Sequence, residues 1–302
     1  MSENVLILDG GMGRELARIG APFRQPEWSA LALLESPQHV RQVHDSYIAA
    51  GSQVITANSY AVVPFHLGDD RFHQRGHELA ALAGKLAREA ADAAPHSVRV
   101  AGSLPPALGS YRPDLFSADA AEPILRVLID ALDPYVDVWL AETQSSLAEV
   151  TLVRQLLADD PRELWLSFTL QDELDEQGRA RLRSGETIAE AAKGAFALGA
   201  ANVLFNCSRP EVMAPAVAEA RAQLSEQGAT IGLGVYANAF EPEDNRREAN
   251  DGLSRLRADT HPEGYQQWAA EWVAQGATLV GGCCGIGPEH IARLAQALPH
   301  RD

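Results

Sequence analysis

Short β-branched apolar runs alternate along this chain with longer stretches in which apolar residues recur every three or four positions. An apolar run without helical spacing, bounded by turn residues, reads as a buried strand; the 3.6-residue period reads as an amphipathic helix. Strands are predicted at 5–8, 53–57, 98–102, 136–141, 164–169, 202–206, 231–235 and 278–281. Helices are predicted at 38–50, 74–93, 118–132, 147–157, 187–198, 211–226, 263–275 and 289–298. Several strands follow a helix-ending glycine, as in Leu198-Gly199-Ala200 and Gln275-Gly276-Ala277. Such a pairing joins a C-cap to a buried strand. Eight strand–helix pairs in unbroken alternation imply a parallel sheet, and eight strands are enough to close it. The expected fold is therefore α/β, a single (β/α)8 TIM-type barrel over residues 1–302.

Three connections are long, at 59–72, 170–186 and 236–262, and all follow strands. In a barrel that places them on the face where the chemistry sits. The third mixes Glu241, Glu243, Asp244, Glu248 and Asp251 with arginines and reads as a solvated lid or flap. Composition narrows the classes further. A net charge of −16 argues against nucleic-acid or anionic-membrane partners, which need clustered cations. No apolar run approaches the roughly 18 residues of a membrane span. A strand-like run begins within a few residues of Met1, leaving no room for a secretory leader, so a cytoplasmic protein is expected. Three cysteines in 302 residues are too few for a disulfide framework.

The reactive residues share a position on the strand map. Asp9 ends the first strand, before Gly10-Gly11; Asn58 and Tyr60 follow the second; Glu142 and Thr143 end the fourth. Asn206 and Cys207 end the sixth, Tyr236 follows the seventh, and Gly282-Cys283-Cys284-Gly285 ends the eighth. A barrel gathers all of them around one mouth, although Cys207 and Cys283 stand 76 positions apart. Three thiolates in one place suit zinc, which favours soft sulfur in tetrahedral geometry and leaves a fourth position for a reactant. Glycines beside Cys283 and Cys284 free both from strand alternation, so that adjacent side chains can turn to one ion. A vicinal disulfide and inert core cysteines are the bland alternatives. A free thiol is mostly protonated at neutral pH and only the thiolate attacks, whereas coordination removes the proton outright. Asp9 and Glu142 suit an α-ammonium group, and N–H groups around Gly10, Gly11 and the later glycines suit an α-carboxylate. Asn58 and Asn206 read equally well as strand-end turn residues. The nine histidines fall mostly in helices or exposed loops without metal-ligand spacing, and nucleotide or serine-hydrolase motifs are missing.

Leu8-Asp9-Gly10-Gly11-Met12, Ile55-Thr56-Ala57-Asn58-Ser59-Tyr60, Ala141-Glu142-Thr143, Phe205-Asn206-Cys207 and Gly281-Gly282-Cys283-Cys284-Gly285 together resemble the homocysteine S-methyltransferase family. The likeness spans nearly the whole chain, in order, and its most specific part is the Asn-Cys paired with Gly-Gly-Cys-Cys-Gly. It implies Zn2+ on Cys207, Cys283 and Cys284, homocysteine held by Asp9, Glu142 and the backbone beside the Gly-Gly turn, and methionine as product. The chain departs from the family at Gly13-Arg14-Glu15, where Thr-Glu is common. It also has Thr143 where betaine-using members carry a cage aromatic, although Tyr60 matches another family tyrosine. The resemblance therefore favours a sulfonium donor, with S-methylmethionine and S-adenosylmethionine both open. Another thiol or selenol, including selenohomocysteine, stays open as acceptor. A non-catalytic zinc or thiol redox sensor is the rival from another class; it leaves Asp9 and Glu142 unexplained.

Overall fold

The computed structural model describes residues 4–241 and 255–299. Eight parallel strands, β1 (Leu6–Ile7), β2 (Val54–Thr56), β3 (Arg99–Leu104), β4 (Val138–Gln144), β5 (Leu164–Phe168), β6 (Asn202–Asn206), β7 (Gly232–Ala237) and β8 (Leu279–Gly282), run in the order β1-β8-β7-β6-β5-β4-β3-β2. A parallel bridge between Leu8 and Val54 joins the two ends of that sheet. Gln53 strengthens the seam, donating its backbone N–H to Ile7 O at 2.8 Å and accepting the Ile7 N–H on its side chain at 3.0 Å. The result is the expected (β/α)8 barrel.

Strand alternation builds the interior in layers. Val54, Ala101, Leu140, Trp165 and Leu204 belong to an apolar plug inside the barrel. Two residues further along their strands stand Thr56, Ser103, Glu142, Ser167 and Asn206, forming a polar layer nearer the carboxyl ends. The outward-facing positions pack against the helices in a much larger core that includes Trp139, Phe168, Phe205 and Trp272.

Element boundaries depart from the predicted ones most where local chemistry outweighs periodicity. The connection 59–72 is largely helical: Pro64–Leu67 forms one turn, and the next helix, Asp69–Asp92, starts five residues before the predicted Gln74. Asp69 and Asp70 occupy its first turn, where carboxylates complement the helix dipole. Two further short helices, Met12–Arg18 and Ala30–Glu35, lie outside the predicted set. Strand β4 extends past the predicted residue 141 to Gln144 through a register shift against β5 between Ala141 and Gln144. Connection 170–186 folds back on itself through antiparallel bridges Leu170–Leu182 and Arg181–Thr187. Residues 242–254 of the proposed lid in 236–262 lie outside the described residues, including Glu243, Asp244, Glu248 and Asp251; Glu241 donates its N–H to Arg255 O at 2.8 Å. Among the described residues, no helix is long and apolar enough to cross a membrane.

Candidate active site

The β1 and β8 ends are knitted together by backbone contact. Gly11 N–H donates to Ile286 O at 2.9 Å, and Gly282 N–H donates to Asp9 O at 3.0 Å. The Tyr47 hydroxyl lies 2.7 Å from Gly11 O and 2.9 Å from Ile286 O, pinning both loops. A Cβ on Gly11 would sit 2.6 Å from the Cys283 carbonyl oxygen, so only glycine permits this approach. Gly11 therefore brings the Asp9 turn against the cysteine loop. Its N–H, like that of Gly282, is committed within the fold and is not the free carboxylate donor expected from the sequence.

On the other side, Tyr265 links β7 to β8: its hydroxyl donates to Gly281 O at 2.7 Å and accepts the Ala237 N–H at 3.1 Å. Cys207 follows β6 in a left-handed conformation (φ 48°), which turns its side chain out of strand alternation. These supports bring the Sγ atoms of Cys207, Cys283 and Cys284 within 4.8 Å of one another. No other group of three His, Cys, Asp or Glu side chains converges in this way among the described residues. Cys207 and Cys283 are joined as a disulfide and Cys284 is free, so the vicinal pairing weighed from sequence does not form. Two thiolates that share one metal ion are also near enough to pair when oxidised, and the disulfide reports the same convergence. Burial pushes the Cys284 thiol up, with Arg14 opposing.

Two carboxylates, half-buried Asp9 and buried Glu142, stand at the same mouth as the sulfurs. Asp9 accepts the Thr56 N–H at 2.8 Å, yet burial, reinforced by the Glu142 charge, pushes its carboxyl up to about 8. Glu142 is pushed up to about 7 by burial; Ser103 offsets part of this from a position short of full hydrogen-bond geometry. Two like charges out of water favour the protonated form unless a cation joins them. Tyr236 lies within the field of Glu142, Asp9 and Tyr60, and its phenol is held well above its ordinary value by burial.

At position 143 the structure departs in detail from a simple strand end. Glu142 and Thr143 lie inside β4 at its irregularity, with Thr143 at φ 58°. Thr143 N–H donates to Asn206 Oδ1, and Asn206 Nδ2 donates to Thr143 Oγ1, both at 2.9 Å. The Gln144 side chain donates to Glu142 O at 2.9 Å and Leu104 O at 3.1 Å, supporting the same bend. Asn206 is thus a brace. Asn58 is turned elsewhere, donating to Ser29 O at 3.1 Å. Tyr60 faces the site, its hydroxyl bonded to Ser110 and its ring near Glu142 and Tyr111. Sequence patterning missed Ser103, Ser167 and Tyr111; the first two stand one alternation step beyond barrel-lining residues, the last lies in a loop without period. His44, expected at a surface or helix end, is fully buried, and burial lowers its imidazole to about 3, so it is neutral. His300 lies outside the described residues.

A family model of homocysteine S-methyltransferase matches residues 6–298. Homocysteine S-methyltransferase of Escherichia coli K12 is 32% identical, over 97% of this chain and 94% of that protein. A selenocysteine Se-methyltransferase of Brassica oleracea var. italica is 25% identical, over 98% of this chain and 89% of its own. Among solved structures, the metallated homocysteine methyltransferase MmuM from Escherichia coli superposes with a TM-score of 0.76 at 28% identity, covering 97% of this chain and 96% of that one.

Proposed function

Because this chain belongs to the homocysteine S-methyltransferase family, and so is a methyltransferase acting on homocysteine, we propose that it works with zinc and a sulfonium methyl donor. The observation that carries the reading is the convergence of three sulfurs within 4.8 Å, at a mouth that also holds the carboxylates of Asp9 and Glu142. The donor set fits the ion: Cys207, Cys283 and Cys284 offer three soft ligands and leave one tetrahedral position for a reactant. Bound there, zinc would supply a thiolate at neutral pH from the acceptor's thiol.

The chain's own residues do the rest. Asp9 and Glu142 take the acceptor's ammonium, which relieves the repulsion between them and draws both to the charged form. Asn206 and Gln144 fix the β4 bend that presents Glu142. Buried Tyr236 and half-buried Tyr60 wall the site, excluding water that would compete for the methyl group. The acceptor sulfur forms the new S–CH3 bond as the donor's S+–CH3 bond breaks. The bonding pair returns to the donor sulfur, leaving a neutral thioether. Positioning supplies the barrier reduction, since the displacement requires an in-line approach.

The donor is S-methylmethionine or S-adenosylmethionine, in keeping with Thr143 at the position of the betaine cage aromatic. A selenol acceptor is a second reading, favoured by the similarity to the Brassica enzyme. The test is turnover of homocysteine and a selenol acceptor against S-methylmethionine, S-adenosylmethionine and betaine, with metal content measured on the same reduced sample. Methionine formed from a sulfonium donor by zinc-loaded protein supports the reading; transfer from betaine alone overturns its donor half.

A further inference from the structure

Connection 170–186 contributes a charged pair to the rim that the chemistry above leaves unused. Its antiparallel bridges bring Arg183 Nη2 to 3.0 Å from Asp172 Oδ1, with side-chain exposures of only 20% and 25%. The Arg183 guanidinium lies 4.9 Å from the centre of the Tyr111 ring. Tyr111 takes a left-handed backbone (φ 63°), a costly state for a tyrosine that the surrounding fold must impose. The half-buried Tyr111 phenol lies within electrostatic reach of Cys284 as well as of Arg183 and Asp172, which puts the pair on the cysteine side of the mouth. The buried Arg183 Nε has no acceptor among the described residues.

We infer that Arg183 receives the carboxylate of the methyl donor's amino-acid half, with Asp172 taking its ammonium and Tyr111 forming the wall toward the cysteines. The inference rests on the sulfonium-donor reading. Both S-methylmethionine and S-adenosylmethionine carry a methionine zwitterion, so a site that binds donor and homocysteine together needs two sets of complementary charges. Asp9 and Glu142 serve one ammonium. Arg183 and Asp172 offer the opposite-charge complement of a second zwitterion, and a guanidinium fork matches carboxylate geometry where an ammonium does not. A partly buried pair held by a bridged loop loses little further hydration or freedom when the ligand arrives.

The experiment compares S-methylmethionine with (3-aminopropyl)dimethylsulfonium, which lacks only the carboxylate, for the native enzyme, Arg183→Gln and Arg183→Lys. A site that hydrogen-bonds a carboxylate rejects the analogue without it, so the native enzyme should favour S-methylmethionine by about 100-fold or more in kcat/KM. Arg183→Gln should raise the KM of S-methylmethionine by roughly 10- to 100-fold, leave the analogue nearly unchanged, and leave homocysteine KM and zinc content as they were. Arg183→Lys should recover only part of the preference. Equal use of both donors by the native enzyme overturns the inference without any variant. So does an equal loss on both donors in Arg183→Gln, or a rise in homocysteine KM instead. A native enzyme that accepts no sulfonium donor overturns the donor reading itself, whereas one that uses S-methylmethionine and keeps its preference in Arg183→Gln overturns only the role of Arg183.

Discussion

Asn206 holds Thr143 by two reciprocal hydrogen bonds of 2.9 Å, and it stands immediately before Cys207. Thr143 and Cys207 both adopt positive φ, a conformation that costs non-glycine residues about 1–3 kcal/mol and persists only where neighbours impose it. Asn206 also accepts from Ser167 Oγ at 2.7 Å. One side chain therefore positions both the carboxylate end of β4 and the first cysteine.

Asn206→Ala should expose that dependence. It strands the buried Thr143 N–H and the Ser167 hydroxyl, a loss of about 1–3 kcal/mol in denaturant unfolding. Activity should fall further than stability accounts for, because Glu142 and Cys207 both lose their alignment. Kinetics at a temperature where the variant is fully folded separate the two effects, and unaltered kcat/KM there would remove Asn206 from the positioning role.

Glu142→Ala should raise homocysteine KM or lower kcat/KM by roughly one to three orders of magnitude, since a buried charge partner is lost. Zinc content should not change. A thiol without the amino group, 4-mercaptobutyrate, should be a poor acceptor for the native enzyme and lose little more in the variant. Equal use of both thiols by the native enzyme would give these carboxylates another task.

Much of this site is legible in the amino-acid sequence, for a simple reason. Strand period fixes which face a side chain takes, and barrel closure fixes which ends meet, so the pattern alone gathers Asp9, Glu142, Cys207, Cys283 and Cys284. Ser103 and Ser167 obey the same period but, as small hydroxyls without reactive chemistry of their own, are not singled out by it. Irregular backbone is not legible in that way. The left-handed Thr143 and Cys207, the β4 bend, and the Tyr111–Arg183–Asp172 contact depend on loops and long-range hydrogen bonds that leave no periodic trace. Asn206 stands where the strand map puts it, but its work as a brace is visible only through its partners.

Proton release on ligand binding follows from the raised carboxyls. In the ligand-free fold Asp9 and Glu142 are raised from 3.8 and 4.5 to about 8 and 7, so their contribution to stability is fully present below about pH 4 and is lost as pH rises to 7–8. An ammonium ligand favours the charged forms, so binding expels protons below pH 7, and affinity rises with pH until both carboxyls are ionised. Methionine isolates this effect, having no thiol proton of its own. Calorimetry at pH 6.5 in buffers of differing ionisation enthalpy should show release of roughly one proton or more, abolished in the Asp9→Asn, Glu142→Gln double variant. Proton uptake, or an affinity flat from pH 6 to 8, would contradict the assignment.

Each cysteine should be needed for the metal and dispensable for the fold. The core between strands and helices is continuous without them, so Cys207→Ala, Cys283→Ala and Cys284→Ala should remain folded by circular dichroism. Metal content after reduction should fall from about one zinc per chain to a small fraction, with activity lost. Reduction must come first, because the Cys207–Cys283 disulfide withdraws two of the three ligands.

In the proposed chemistry everything depends on the acceptor sulfur meeting the metal held by these three cysteines. X-ray absorption at the zinc edge, on reduced zinc-loaded protein with and without homocysteine, reads that event directly. Three sulfurs and one lighter atom are expected around zinc before addition, and four sulfurs at about 2.3 Å after it. A zinc shell unchanged by saturating homocysteine, in a sample that still turns over, would rule out sulfur–metal contact as the activating step.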